Sequence, residues 1–274
     1  MDAVVMAAGE GRRLRPLTER WAKPLLPIDG RPVLATLLRE LAAAGLEDVW
    51  VVVGHLAGQI EALVDDGSAF GVRVRYARQP RALGSADAVA RAIAAGATPP
   101  LLVSAADTVF SPGTIGMARD GWLESGAAGA LAVRDVPAGE VAERSAVTVG
   151  GGRLLSVVEK PPPGTPGTLA GAPLWFLGPE LCAGLEGLPG PPFELAVAAQ
   201  RAIDAGAELG AIEIGPTRDI TRPADVLARN FAYLSSLGER RNERDVRPLH
   251  EGARAPRGWT ERAGDRRARE GEGT

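Results

Sequence analysis

The first hundred residues alternate between two kinds of segment. Apolar runs marked by Ala3-Val4-Val5-Met6, Val49 to Val53, Val72-Val74-Tyr76 and Leu101-Leu102-Val103 read as strands. Between them, apolar residues recur at helical spacing. Leu34, Leu37, Leu38 and Leu41 predict a helix over about 32–44, with Gly45 as its stop. Ile60, Leu63 and Val64 mark a second helix, and Ala86, Val89, Ala90 and Ile93 a third. Strands that alternate with helices predict an α/β domain with a mostly parallel sheet and helices on both faces, a three-layer, Rossmann-like arrangement.

That reading lines up three unusual segments. Ala7 to Pro27 follows the first strand, Gln79-Pro80-Arg81-Ala82-Leu83-Gly84-Ser85 the third, and Ser104-Ala105-Ala106-Asp107 the fourth. Ligands of open α/β sheets bind beyond the carboxyl ends of the strands, so all three converge on the edge where a site is expected.

The first segment reads as a polyphosphate cradle. A loop of this length in a compact domain is usually functional or disordered, and this one leads straight into an apolar helix. Gly9 and Gly11 let backbone approach a ligand, and successive N–H groups can form an anion-binding hollow. Arg12, Arg13, Arg15 and Lys23 add charge, and Pro16, Pro24 and Pro27 stiffen the chain. Lysine usage singles out two positions. Of 31 basic residues, only Lys23 and Lys160 are lysine, and both precede proline. Where arginine serves elsewhere, a retained lysine suggests a need for a compact ammonium, as in holding phosphate.

Further along, a helix near 112–125, a strand at 128–134 and a hairpin of Val147–Val149 with Leu154–Val158, turned at Gly150-Gly151-Gly152, are expected. A strand at Leu174–Leu177, a helix from about Phe193 to Ala205, a strand at 209–214 and a last amphipathic helix carrying Leu227, Phe231 and Leu234 complete a domain of residues 1–237. Residues 238–274, rich in arginine and acidic groups, read as a charged, disordered tail.

Net charge is −3, which gives no general attraction to nucleic acid or membrane, and the interleaved acids in the tail argue against a nucleic-acid arm. No apolar run approaches the roughly 20 residues that span a bilayer. The chain begins in a strand without a signal-peptide pattern, so a cytoplasmic protein is expected. One cysteine, Cys182, and two histidines make a disulfide framework or a zinc site improbable.

The motif G-x-x-x-x-G-K-[ST] is missing, which excludes a P-loop NTPase. Leu14 stands where a dinucleotide fingerprint needs its third glycine, which excludes a Rossmann dehydrogenase. Gly9-Glu10-Gly11-Arg12-Arg13-Leu14-Arg15-Pro16-Leu17-Thr18, followed by Lys23-Pro24-Leu25-Leu26-Pro27, closely resembles the sugar-1-phosphate nucleotidylyltransferases, or nucleotide-sugar pyrophosphorylases. Gln79 with Leu83-Gly84-Ser85-Ala86, Asp107, Val158-Glu159-Lys160-Pro161, Ala170-Gly171, Phe193-Glu194-Leu195 and Asp219-Ile220 with Arg222-Pro223 match in the family's order.

The resemblance implies the fold of the nucleotide-diphospho-sugar transferases. It implies that Ala8, Gly9 and Gly11 hold the nucleotide backbone, that Arg13 and Lys23 neutralise its triphosphate, and that Gln79, Gly84 and Ser85 lie at the base. It further implies Mg²⁺ on Asp107 and Asp219, sugar hydroxyls on Glu159, the sugar phosphate on Lys160, and close approach of the ring at Gly171. The substrates implied are an NTP, with UTP or dTTP favoured by Gln79 ahead of Leu83-Gly84, and a sugar 1-phosphate. A GTP-dependent mannose or heptose enzyme, a CTP-dependent phosphocholine enzyme and a non-catalytic sensor are the alternatives. A homo-oligomer is compatible with the sequence. Plainer readings stand beside these: Asp107 and Asp219 as helix N-caps, Glu159 as an arginine partner, and Gln79 as a solvated loop residue. Ser145-Ala146 stands where a Tyr-Gly contact to the sugar is usual, so the sugar's identity is open.

Overall fold

A computed structural model describes residues 1–137 and 139–242. Residues 1–232 form one compact unit and 233–274 a second, described only to Asn242. Among the described residues, nine strands form one sheet: β1 (Asp2–Met6), β2 (Asp48–Val53), β3 (Arg73–Arg78), β4 (Leu101–Ala105), β5 (Gly129–Asp135), β6 (Ser145–Gly150), β7 (Arg153–Glu159), β8 (Leu169–Leu177) and β9 (Leu209–Glu213). Their order is β3-β2-β1-β4-β8-β5-β9-β7-β6, with β6 also pairing β8.

The expected three-layer α/β arrangement is present, and the sheet is mixed. The four strands β3, β2, β1 and β4 run parallel, because each connection carries a crossover helix. Beyond them β8 runs antiparallel to both β4 and β5, and only β9 beside β5 restores a parallel pair. The β6–β7 hairpin closes through Gly151 and Gly152, both at positive φ (59° and 75°), as its three glycines suggested.

Helices cover both faces. Helices α1 (Val33–Ala43), α2 (Ala57–Val64) and α4 (Thr114–Ser125) pack one core with Val5, Val51 and Phe176. Helices α3 (Ser85–Ala95) and α5 (Leu195–Asp204) pack the other with Val4, Val52 and Trp175. Strand β2 is buried on both sides, which is why it reads as an unbroken apolar run rather than an alternation.

A smaller cluster positions the site. Leu14 and Leu26 of the opening segment, Val109 after β4, and Ile220 after β9 bury together, with Val226 of helix α6 (Pro223–Asn242) against them. Helix α6 carries the expected apolar side, but Leu227 and Phe231 are exposed. Its anchor is polar. Asn230 donates from Nδ2 to the Pro27 carbonyl and accepts from the Gly30 N–H. Residues 238–242, where the tail was expected to begin, are helical; the rest of that tail lies outside the described residues.

Candidate active site

The opening segment is a chain of tight turns. Gly11 has φ of +62°, and a Cβ there would lie 2.8 Å from Thr18 Cγ2 and 3.3 Å from Lys23 Cβ. Thr18, fully buried, donates its hydroxyl to the Gly11 carbonyl at 2.9 Å. Two short 3-10 turns, Arg12–Leu14 and Lys23–Leu25, flank the helical turn Leu17–Arg20. The fold therefore brings Lys23 back against Gly11, although twelve residues separate them in sequence.

Together Gly9, Gly11, Arg12, Arg13, Leu14, Lys23, Asp107 and Thr221 line one open cleft of about 290 Å³. Lys23 Nζ donates to Asp107 Oδ2, and both side chains are mostly buried (17% and 28% exposed). Glu10 sorts the arginines. Its carboxylate takes Arg12 at 2.8 Å and Arg15 at 3.3 Å, and the hydrogen bond from Arg12 holds its pKa below the usual value. Arg13 has no such carboxylate partner among the described residues and is exposed at the cleft.

Asp107 and Asp219 come together through a two-residue ladder. Thr108–Val109 pairs antiparallel with Arg218–Asp219, and Asp219 is the register partner of Thr108. Neither aspartate caps a helix; Asp225 serves that purpose, accepting the N–H groups of Thr221 and Arg222. The Asp219 carboxylate does not line the cleft. It accepts from Arg144 Nη1 at 3.2 Å. As donors, the two carboxylates suit a hard divalent cation that keeps most of its shell for water and phosphate. Among the described residues there is no cluster of three or more His, Cys, Asp or Glu that could cage a metal alone.

A second set of groups adjoins the first through Arg144, whose carbonyl accepts the Lys160 N–H at 2.9 Å. Glu159 accepts the Ser145 hydroxyl and lies 3.3 Å from Lys160 Nζ, so its partner is not an arginine. Lys160 is 64% exposed and does not line the cleft. A Cβ on Gly171 would lie 3.0 Å from Leu131 Cδ2 and 3.3 Å from Ser145 Cβ. The cleft thus unites Gly9, Gly11, Arg13, Lys23 and Asp107, and outside its lining the Arg144–Asp219 and Lys160–Glu159 ion pairs are joined by a backbone hydrogen bond.

The segment after β3 has a different character from a solvated loop. Gln79 is only 5% exposed. Its Nε2 donates to the Gly84 carbonyl (3.0 Å) and to Asp87 Oδ2 (2.8 Å). Its Oε1 accepts no hydrogen bond among the described residues. Burial alone would raise the Asp87 carboxyl, but hydrogen bonds from Arg91 and Gln79 hold it below the ordinary value. Gly84, at φ +110°, packs on the backbone of Phe193, and Ala8 is buried beside Gly54. The Ser85 hydroxyl donates to Glu194 (2.6 Å) and accepts the Leu195 N–H (2.8 Å). Ser85 and Glu194 thereby cap each other's helices, so the Ser85 hydroxyl is engaged within the protein.

Sequence reasoning missed Arg134, Arg144 and Thr221, and placed Glu194 only within the Phe193-Glu194-Leu195 match without a role. In a chain whose basic residues are nearly all arginine, nothing marks two of them, and Thr221 stands four residues before Asp225 rather than the three of a capping box. Cys182 is buried, its thiol pushed up to about 11, which leaves it unreactive as a nucleophile.

Residues 2–211 match the family model described as nucleotidyl transferase. The chain belongs to that family. A glucose-1-phosphate thymidylyltransferase of Streptomyces griseus is 48% identical over 89 residues, which is 32% of this chain and 25% of that protein. The chain thus spans only about a quarter of the length of this curated relative. The low-salt glycan biosynthesis nucleotidyltransferase Agl11 of Haloferax volcanii is 28% identical over 240 residues, 85% of this chain and 66% of that one. The fold matches a UDP-glucose pyrophosphorylase solved with UDP-glucose, with a TM-score of 0.75 at 20% identity, covering 86% of this chain and 98% of that one. No described helix of this member of the family is long and apolar enough to cross a membrane.

Proposed function

We propose that this chain is a nucleotidylyltransferase that joins an NTP, with UTP or dTTP favoured, to a sugar 1-phosphate and releases pyrophosphate. The observation that carries the reading is the single cleft in which the Gly9–Gly11 backbone, Arg13 and the Lys23–Asp107 pair meet.

In this reading the triphosphate lies on the Gly9–Gly11 turn, and Arg13 and Lys23 neutralise it. An oxygen of the sugar phosphate attacks the α-phosphorus in line, the bond to the β-phosphate oxygen breaks, and pyrophosphate leaves. The nucleophile is already ionised, so no general base is needed, in keeping with a site whose side chains are cations and carboxylates. The protein's task is to bring two anions together, and preorganised positive charge serves it. Mg²⁺ held by Asp107 and Asp219 would supply further charge neutralisation at the phosphates when bound. Lys160 would meet the sugar phosphate, Glu159 the hydroxyls, and Gly171 would leave room for the ring.

Gln79 supports the choice of base. Both of its described amide hydrogen bonds are spent on protein acceptors, which leaves Oε1 to accept. Uracil and thymine present an N3–H donor there, whereas cytosine presents an acceptor at N3. Guanine also offers a ring N–H, which keeps GTP as the competitor. Pyrophosphate release from UTP, dTTP, GTP and CTP, each with glucose-, N-acetylglucosamine-, mannose- and N-acetylmuramic-acid-1-phosphate, tests the reading. Turnover with UTP or dTTP is expected. No turnover with any pair overturns it, and turnover with CTP alone overturns the reading of Gln79.

A further inference from the structure

Asp107 and Asp219 are held by cations of different standing. Lys23 lines the cleft beside Asp107, whereas Arg144, the partner of Asp219, has no part in the reading above. Arg144 lies in extended backbone (φ −131°, ψ −162°) immediately before β6. Two residues on, Ala146 is the register partner of Ala170, and Ala170 that of Arg134 on β5. Arg144 and Arg134 therefore stand on one face of three adjacent strands, with two alanines between them.

Arg134 is 6% exposed, and its Nε is buried without a hydrogen-bond partner among the described residues. A guanidinium kept in that state is costly. Burial first, and then the Arg144 charge beside it, press Arg134 toward its neutral form, while Asp219 and Glu140 act the other way. Asp219 thus bonds one guanidinium, that of Arg144, and its charge also reaches the second, that of Arg134. Once another cation takes that carboxylate, positive charge is left in excess, and its fork geometry suits phosphate as well as carboxylate.

We propose that Arg144 is a partner-exchanging cation: it neutralises Asp219 until a divalent metal takes that carboxylate, and then donates, backed by Arg134, to the phosphate of the second substrate. The inference rests on the nucleotidyl transfer proposed above. The local architecture permits the exchange. The Arg144 carbonyl is tied to the Lys160 N–H, so the backbone stays fixed while the guanidinium turns. Glu140, 3.7 Å from Nη2, is a second carboxylate that stays with Arg144. The exchange also places the arginine beside Lys160, the other cation expected at that phosphate.

The test is a Mn²⁺ titration of the full chain, followed by the electron spin resonance of free Mn²⁺, for wild type, Arg144→Gln and Asp219→Asn. Arg144→Gln is expected to bind Mn²⁺ about tenfold more tightly, the worth of one partly exposed charge-assisted hydrogen bond, and Asp219→Asn to lose the site. In turnover, Arg144→Gln is expected to raise KM for the sugar 1-phosphate about tenfold and leave that for the NTP within about twofold. Arg144→Met replaces the glutamine variant if the latter does not fold. Equal Mn²⁺ affinity in wild type and variant overturns the competition at Asp219, whatever the turnover. Tighter Mn²⁺ binding with an unchanged KM for the sugar phosphate overturns the transfer to phosphate. A wild type that binds Mn²⁺ but turns over no substrate pair overturns the proposed reaction and, with it, the transfer to phosphate, while the competition at Asp219 stands.

Discussion

Gly84→Ala separates two roles for one residue. The resemblance puts Gly84 at the nucleotide base; the structure packs it on the backbone of Phe193. A Cβ there would lie 2.6 Å from Phe193 N and 2.7 Å from its carbonyl carbon, with the carbonyl oxygen nearer still. Ordinary contact begins near 3.4 Å, so the Phe193 backbone must withdraw by roughly 1 Å. That movement breaks two hydrogen bonds, from Phe193 N–H to Leu83 O (2.7 Å) and from Ala86 N–H to Phe193 O (2.9 Å). Each is worth about 1 kcal/mol. Alanine at φ +110° adds about 1–3 kcal/mol. The expected loss is about 3–5 kcal/mol, which at an m-value of about 2 kcal/mol/M lowers the urea midpoint by about 2 M. Urea unfolding followed by circular dichroism measures it. Gly9→Ala is the control, because a Cβ there meets nothing within 4 Å and stability should stay within about 0.5 kcal/mol. A Gly84→Ala protein that unfolds at the wild-type urea concentration refutes the packing argument.

Other expectations concern charge. Arg13→Ala should raise KM for the NTP about tenfold, whereas Arg12→Ala, removing a cation already taken by Glu10, should leave it within about twofold; steady-state kinetics of both variants at low salt decides the matter. Asp87 has a depressed folded pKa, so its contribution to stability is complete above the unfolded carboxylate value and is lost as pH falls through the lower, folded one. The gap in urea midpoint between wild type and Asp87→Asn should therefore be widest near neutral pH and shrink below about pH 4.

The layers of the fold were legible because their signals are local. Helix α1 is written in Leu34, Leu37, Leu38 and Leu41, and β2 in an unbroken valine run, and both were found within a residue or two. The cradle was legible because Gly11 needs its left-handed backbone and Lys23 is one of only two lysines. What escaped is non-local. Nothing near Asp219 in sequence announces Arg144, 75 residues away, and the two meet only because strands from separate stretches converge. The mutual capping of Ser85 and Glu194, 109 residues apart, has the same origin. Helix α6 is present as expected, and only the exposure of its apolar side was not legible. Its Leu227 and Phe231 follow a helical period, but a period says which residues share a face and not whether that face is covered.

In the proposed reaction Lys23, paired with Asp107 in the cleft, neutralises the triphosphate during transfer. Pyrophosphate release by wild type and Lys23→Ala, side by side under saturating substrates, tests it most directly. A fall in kcat of about a hundredfold or more, with an unchanged circular dichroism spectrum, is expected. A folded Lys23→Ala protein that releases pyrophosphate at the wild-type rate contradicts the account.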